Sequence, residues 1–262
     1  MRILFVADIF GQTGKRMASI YIPTIVEKES VELVIANGEN IAGGFGLTEN
    51  LVRKLHSYGV HVITSGNHIW DRKEFVSNID KHTNVLRPFN YPTNTPGKGS
   101  TIVETRTGHL VGVLNLQGRT SMPPTDCPFR LGKKEIERIS QHTQMIFVDF
   151  HAEATAEKMA LGWHIDGTVS ALIGTHTHVQ TADERILPGG TAYLTDAGMT
   201  GPHDSVIGGK PTDAIRRFLT QMPTRFTPSE GGGRFCGVLL DVDPMNGKAT
   251  NIKRLQIRHE ET

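Results

Sequence analysis

The sequence predicts an α/β protein built as a single domain over residues 1–262, with two packed sheets and helices outside them. Three observations predict it. Short runs rich in β-branched and aliphatic residues alternate with helix-forming stretches through the first half. The second half carries more strand-like runs and is punctuated by Gly and Pro. Finally, no linker, internal repeat, low-complexity tract or block of like charge separates two independent halves.

In chain order, Ile3–Ala7 reads as a strand and Lys15–Glu29 as the helix after it. Val31–Ala36 is followed by the helix Thr48–Ser57, in which Thr48 is placed to cap the first turn and Glu49 adds an acid there. Val60–Thr64 precedes a predicted helix over Asp71–Ile79, and Thr101–Glu104 and Leu110–Leu116 are successive strands. Then come the helix Lys133–His142, the strand Met145–Phe150, the helix Ala152–Gly162 and the strands Val169–Ile173 and Thr191–Leu194. Pro211-Thr212-Asp213 supplies a stop, a cap and an N-terminal acid for the helix Thr212–Gln221, before the strands Phe235–Val242 and Asn251–Ile257. Pro88–Gly99, Pro123–Pro128, Gly198–Lys210 and Pro223–Gly233 read as long loops, and Trp70 and Trp163 as core.

With 28 Lys+Arg against 27 Asp+Glu the formal charge is +1, which argues against bulk binding of nucleic acid or of an anionic membrane. A hydrophobic content of 37% with 21% charged residues excludes a disordered chain. Cys127 and Cys236 are too few for a disulfide scaffold and wrongly spaced for a thiolate metal site. The opening MRILFVADIF lacks a cleavage site, and no run approaches the ~20 apolar residues that span a bilayer, so a cytoplasmic location is expected.

Of the 12 histidines, several fall where a strand hands over to a loop. Successive strand ends carry Asp8, Asn37-Gly38-Glu39-Asn40, Ser65-Gly66-Asn67-His68, Asp149 with His151, and Gly174-Thr175-His176-Thr177-His178. Loops beyond the carboxyl ends of strands gather on one rim of an α/β sheet, so these residues can converge. Alone, Asp8 is an ordinary turn former and His68 an ordinary turn histidine. Together the five runs point to a site, and His176 and His178 at i and i+2 project the same way from extended chain. The donors His151, His176, His178, Asp8, Glu39, Asn40 and Asn67 exceed the needs of one ion. Mixed nitrogen and oxygen donors without thiolate favour manganese, iron or zinc, and the set predicts two transition-metal ions.

In this order the motifs resemble those of the calcineurin-like metallophosphoesterases, and within them the YmdB-type group. The resemblance rests on Asp8-Ile9-Phe10, Asn37-Gly38-Glu39-Asn40, Gly66-Asn67-His68-Ile69-Trp70-Asp71, Asp149-Phe150-His151-Ala152-Glu153 and Gly174-Thr175-His176-Thr177-His178-Val179-Gln180, and continues through Asp196-Ala197-Gly198-Met199-Thr200-Gly201. It implies a four-layer α/β/β/α sandwich of two mixed sheets flanked by helices. It also implies a phosphodiesterase for which 2′,3′-cyclic nucleotides are the substrate class and nucleoside 3′-phosphates the products. By the same resemblance Asp8, Glu39, Asn40 and His178 hold one ion, Glu39, Asn67, His151 and His176 hold the other, and His68 is the general acid. The superfamily's usual Asp-x-His opening is Asp8-Ile9-Phe10 here, with Asn40 as the substitute ligand, Glu39 in place of a bridging Asp, and Ile69 in place of an acid. An amide oxygen in place of an imidazole hardens one site and shifts preference toward iron or manganese.

The glycine-rich segment at Gly43, Gly44 and Phe45 is a candidate substrate contact, through backbone N–H groups for a phosphate and the Phe45 ring for a base. A rival reading is a regulatory metal-binding protein with vestigial phosphodiesterase activity that acts through a partner. A zinc amidohydrolase built on His176 and His178 would want its His-x-His near the N-terminus, so the motif order opposes it. The family is also compatible with a homo-oligomer.

Overall fold

A computed structural model describes residues 1–260. The strands are β1 (Arg2–Val6), β2 (Leu33–Asn37), β3 (Val62–Thr64), β4 (Ser100–Glu104), β5 (Leu110–Gln117), β6 (Ile146–His151), β7 (Ala171–Thr175), β8 (Arg185–Ile186), β9 (Ala192–Leu194), β10 (Gly201–Pro202), β11 (Gly233–Val242) and β12 (Ala249–Arg258). The helices are α1 (Gly11–Lys28), α2 (Glu49–Ser57), α3 (Lys73–Val76), α4 (Pro128–Ser140), α5 (Thr155–His164) and α6 (Pro211–Thr220).

The strands form two mixed sheets. In the first, β1, β2 and β3 are parallel, while β11 runs antiparallel along the other edge of β1 and is itself flanked by β12. In the second, β5, β6, β7 and β9 are parallel, with β4 and β8 antiparallel at the edges. Parallel strands buried on both faces need near-continuous apolar sequence, and the runs LFV of β1 and LVIA of β2 supply it.

Register lines up the inner core. Val238, Phe5, Ile35 and Val62 are cross-strand neighbours in one sheet, and Val113, Phe147, Ala171 and Ala192 in the other. These two rows belong to one buried cluster, with the Phe5 and Phe147 rings 5.0 Å apart across the sheets. Because strand side chains alternate, the intervening residues face outward onto helices. Leu4, Val6, Val34 and Ala36 pack with Met17 and Ile22 of α1 and Leu51 and Leu55 of α2. Leu116, Val148 and Leu172 pack with Ile136 and Ile139 of α4 and Leu161 of α5. The result is the expected α/β/β/α stack. Helix α6 stands apart, with no buried residue.

Local differences from the sequence reading have identifiable causes. The helix expected over Asp71–Ile79 is broken into a 3-10 turn at Asn67–Asp71, the short α3 and a second 3-10 turn at Ile79–Lys81. The chain leaves helical conformation at Arg72 (φ −113°, ψ 94°), whose guanidinium donates to the carbonyls of Phe45 and Ala42. Helix α4 starts five residues earlier than Lys133, at Pro128, because proline's fixed φ suits the first helical position. The two-residue strands β8 and β10 carry no periodic signal. Trp163, expected in the core, is 52% exposed beneath the Arg185 guanidinium. No helix among the described residues is long and apolar enough to cross a membrane.

Candidate active site

The carboxyl ends of β1, β2, β3, β6 and β7 deliver the side chains singled out in the sequence to one rim. Asp8 lies two residues past β1, Glu39 and Asn40 follow β2, Asn67 and His68 follow β3, His151 ends β6, and His176 and His178 follow β7. At the centre, Glu39 Oε1 is 2.9 Å from His151 Nε2, which is 3.0 Å from His176 Nδ1. Donor atoms of Glu39, His151 and His176 all lie within 4.8 Å of one another. A second group adjoins it. His178 Nε2 is 3.6 Å from Asp8 Oδ2 and 3.1 Å from the Asn40 amide nitrogen, which also donates to Glu39 Oε1 at 3.3 Å. Glu39 therefore belongs to both groups. Gly66 makes the approach sterically feasible, since a Cβ there would lie 2.1 Å from His151 Cδ2 and 2.5 Å from Glu39 Oε2.

Each imidazole is held from behind. Thr175 donates its one hydroxyl proton to Asp149 Oδ1 at 2.7 Å, so toward His151 Nδ1, 2.9 Å away, it can only accept. Nδ1 therefore carries the proton, and Nε2 faces the centre. The Ile207 carbonyl accepts from His178 Nδ1 at 2.9 Å, again leaving Nε2 inward. His176 is turned the other way, with Nδ1 inward and Nε2 3.1 Å from Glu153 Oε2. Fixing the far nitrogen in this way is how metal-ligating histidines are oriented.

The oxygen donors are arranged differently. Asp8 Oδ1 and Asn67 Oδ1 are buried and have no hydrogen-bond partner among the described residues, a costly state for a polar atom that a cation would relieve. Asp8 Oδ2 accepts the His176 N–H at 3.0 Å, and Glu39 Oε2 accepts the His68 N–H at 3.1 Å.

Charges in the cluster shift one another. Burial raises Asp8 well above the usual carboxylate range, only partly opposed by His151. Burial also acts against the Glu39 charge, but the attraction and hydrogen bond of His151 outweigh it and hold Glu39 at about 2. The converse applies to His151: burial disfavours its charge, yet Glu39, Asp8 and Asp149 raise it to about 9. Burial and the neighbouring His151 lower His176 to about 3, and burial lowers His178.

His68 lies at the mouth. Its Nδ1 is 2.8 Å from Asp71 Oδ2, and its ring stands edge-on to Phe45 at 4.9 Å. Phe226 bridges Phe45 and Phe10, at 5.5 and 6.1 Å, and Phe10 packs on His178. The phosphate-facing amides expected of Gly43 and Gly44 are committed within the loop, donating to Ile41 O and Asn40 O at 3.0 Å each. These glycines instead permit φ values of 70° and 97°, and a Cβ on Gly44 would press on the Phe10 ring at 3.0 Å. Phe45 is the member of that segment that reaches the site.

Sequence reasoning singled out neither Asp71 nor Thr175, Glu153 and the Ile207 carbonyl as supports. Asp149 had a visible signal, a charged residue in an apolar strand at i−2 from His151 and hence on the same face. The others depend on approaches between distant segments.

Comparison with known proteins places the whole chain in one family. The family model described as YmdB-like protein matches residues 4–255. A 2′,3′-cyclic-nucleotide 2′-phosphodiesterase of Bacillus subtilis is 49% identical over 260 residues, covering 99% of this chain and 98% of that protein. A putative phosphatase/phosphodiesterase of Mycoplasma genitalium is 35% identical, covering 98% and 93%. Among solved structures, a hypothetical protein from Thermus thermophilus superposes with TM-score 0.93 at 40% identity, covering 99% of this chain and all of that one. One described as a novel phosphatase from Mycoplasma pneumoniae gives 0.92 at 35%, covering 98% and 93%. The chain belongs to the YmdB-like family, whose relatives carry phosphodiesterase and phosphatase names.

Proposed function

We propose that the protein is a dinuclear metal-dependent phosphodiesterase that hydrolyses 2′,3′-cyclic nucleotides to nucleoside 3′-phosphates. The observation that carries this is the division of labour at the rim: three imidazoles pinned at their far nitrogens, and on the same rim two buried oxygen atoms without partners among the described residues. The substrate class is supported by the 49% identity to the Bacillus subtilis enzyme.

The donor set fits two cations. Asp8, Asn40 and His178 would hold one, Asn67, His151 and His176 the other, and Glu39 both. Nitrogen and oxygen donors without a thiolate suit iron or manganese, and also accommodate zinc. Held by these residues, two such ions would supply the activation of a water nucleophile and charge compensation for the phosphoryl oxygens. No protein nucleophile is required. His68, with Nδ1 held by Asp71, offers Nε2 to protonate the departing 2′ oxygen. Phe45, edge-on to His68, would pack against the nucleoside.

Elemental analysis of protein purified without added metal or chelator, with a turnover assay on 2′,3′-cyclic AMP from the same sample, tests the reading. About two equivalents of iron or manganese with chelator-sensitive turnover is expected. Bound metal without turnover would favour a regulatory metal-binding role, and no metal even after reconstitution would overturn both.

A further inference from the structure

Asp196 and Lys158 form an ion pair outside the ligand set. Lys158 Nζ is 2.7 Å from Asp196 Oδ2, and both side chains are at most 1% exposed. Buried charges of this kind persist where each is paired and hydrogen-bonded. Asp196 is fully engaged: Oδ2 also accepts the Thr177 N–H at 3.0 Å, and Oδ1 accepts the Gly198 N–H at 2.9 Å. Thr177 is the residue between His176 and His178. Those two histidines have φ of 105° and 65°, in the region that side-chain-bearing residues avoid. Strained backbone of this kind persists only where its surroundings over-determine it. Here successive N–H groups of the turn are taken by two carboxylates, His176 by Asp8 and Thr177 by Asp196. The strand leading into the turn is fitted to the pair as well, since a Cβ at Gly174 would lie 1.8 Å from the Thr195 carbonyl and 2.9 Å from Lys158 Cδ.

We propose that Asp196, neutralised by Lys158, is a positioning residue that holds the His176-Thr177-His178 turn in its strained form, so that the two imidazoles face the two metal positions together. This rests on the functional reading above for the identity of the ligands. Lys158 comes from α5 and Asp196 from the segment just after β9, so the pair also ties the turn to two separate elements of the second sheet's layer. Loss of the acceptor should weaken both ions, because His176 and His178 serve different ones. Outer supports of metal ligands typically carry about 10–100-fold in affinity.

The test uses two double variants that leave no unpaired buried charge. Lys158→Met with Asp196→Ala removes the acceptor; Lys158→Met with Asp196→Asn keeps an amide oxygen where Thr177 donates. In the full chain, circular dichroism establishes folding, competition against a chelator measures manganese affinity, and hydrogen exchange of the Thr177 amide is read on metal-free protein. Expected are folded proteins in which the alanine variant binds manganese about 10–100-fold more weakly and exchanges Thr177 faster, with both values restored toward wild type by the asparagine variant. Unchanged Thr177 exchange and manganese affinity in a folded alanine variant would overturn the proposal. Equal losses in both variants would do so too, since they would mark a general packing defect. If wild-type protein bound no metal while Thr177 exchange still separated the two variants, the functional reading would fail and the positioning role would stand.

Discussion

The two sheets bring different chemistry to the rim. The first, through the ends of β1, β2 and β3, brings carboxylates and amides: Asp8, Glu39 and Asn67, with Asn40 turning its amide nitrogen toward His178 and Glu39. The second, through β6 and β7, supplies nitrogen: His151, His176 and His178. The oxygen side leaves Asp8 Oδ1 and Asn67 Oδ1 without partners, whereas every imidazole is tied at its far nitrogen to a protein acceptor. The difference follows from the groups. A carboxylate presents oxygen from either end and an amide such as Asn40 can turn, but an imidazole must be told which nitrogen to protonate. Order on the nitrogen side is built into the protein, and on the proposed function order on the oxygen side would be completed by a cation.

The sharpest way to break this division is at Glu39, the one residue in both groups. Glu39→Gln is expected to lose both ions and reduce turnover to background; an amide variant with full metal content by elemental analysis would deny the shared role. Next in size, His68→Ala should retain metal yet lose about 10²–10⁴-fold in kcat on a substrate with a poor alkoxide leaving group. Little loss is expected with an activated aryl leaving group, and equal losses on both substrates would remove the acid role. On the nitrogen side, Thr175→Val deprives His151 Nδ1 of its acceptor and should weaken metal binding by about 10–100-fold by chelator competition. Unaltered affinity would show that His151 needs no such guide.

The smallest effect is a proton. In metal-free protein His151, at about 9, carries an extra proton at neutral pH, whereas Glu39 at about 2 and His176 at about 3 do not. A cation must displace it, so affinity should rise by about tenfold per pH unit through neutrality and flatten above about 9. Asp8, raised well above its usual range by burial, adds to the release. Calorimetry in buffers of different ionisation enthalpy counts the protons, and none released at pH 7 would contradict the Glu39–His151 coupling. In folding the sign is the ordinary one for a raised histidine: the stabilisation is complete below its unfolded value near 6.5 and lost as pH rises through about 9.

Much of this was legible because strand ends in parallel sheets share a rim, so Asp8, Glu39, Asn67, His151 and His176 could be grouped without knowing their distances. The supports were not legible. Thr175 acts through a hydroxyl squeezed between Asp149 and His151, and Ile207 offers only a carbonyl, which no residue type announces. Arg72 is a further instance: its helical surroundings predict a continuous helix, and only its reach to the Phe45 and Ala42 carbonyls explains the break. The Gly43-Gly44 amides misled for the same reason, since composition cannot tell a free N–H from one satisfied inside its own turn.

Strand β1 has β2 on one side and β11 on the other, and Arg2 is bound to Asp241, 239 positions further along the chain. During ribosomal synthesis at about 5–20 residues per second, the strand that aims Asp8 waits roughly 10–50 s for that neighbour. The parallel cores of both sheets, β1 to β3 and β5 to β7, each pair within a far shorter stretch. A nascent chain therefore has time to order both parallel cores before β11 arrives, which leaves the final hairpin to complete the sheet that carries Asp8.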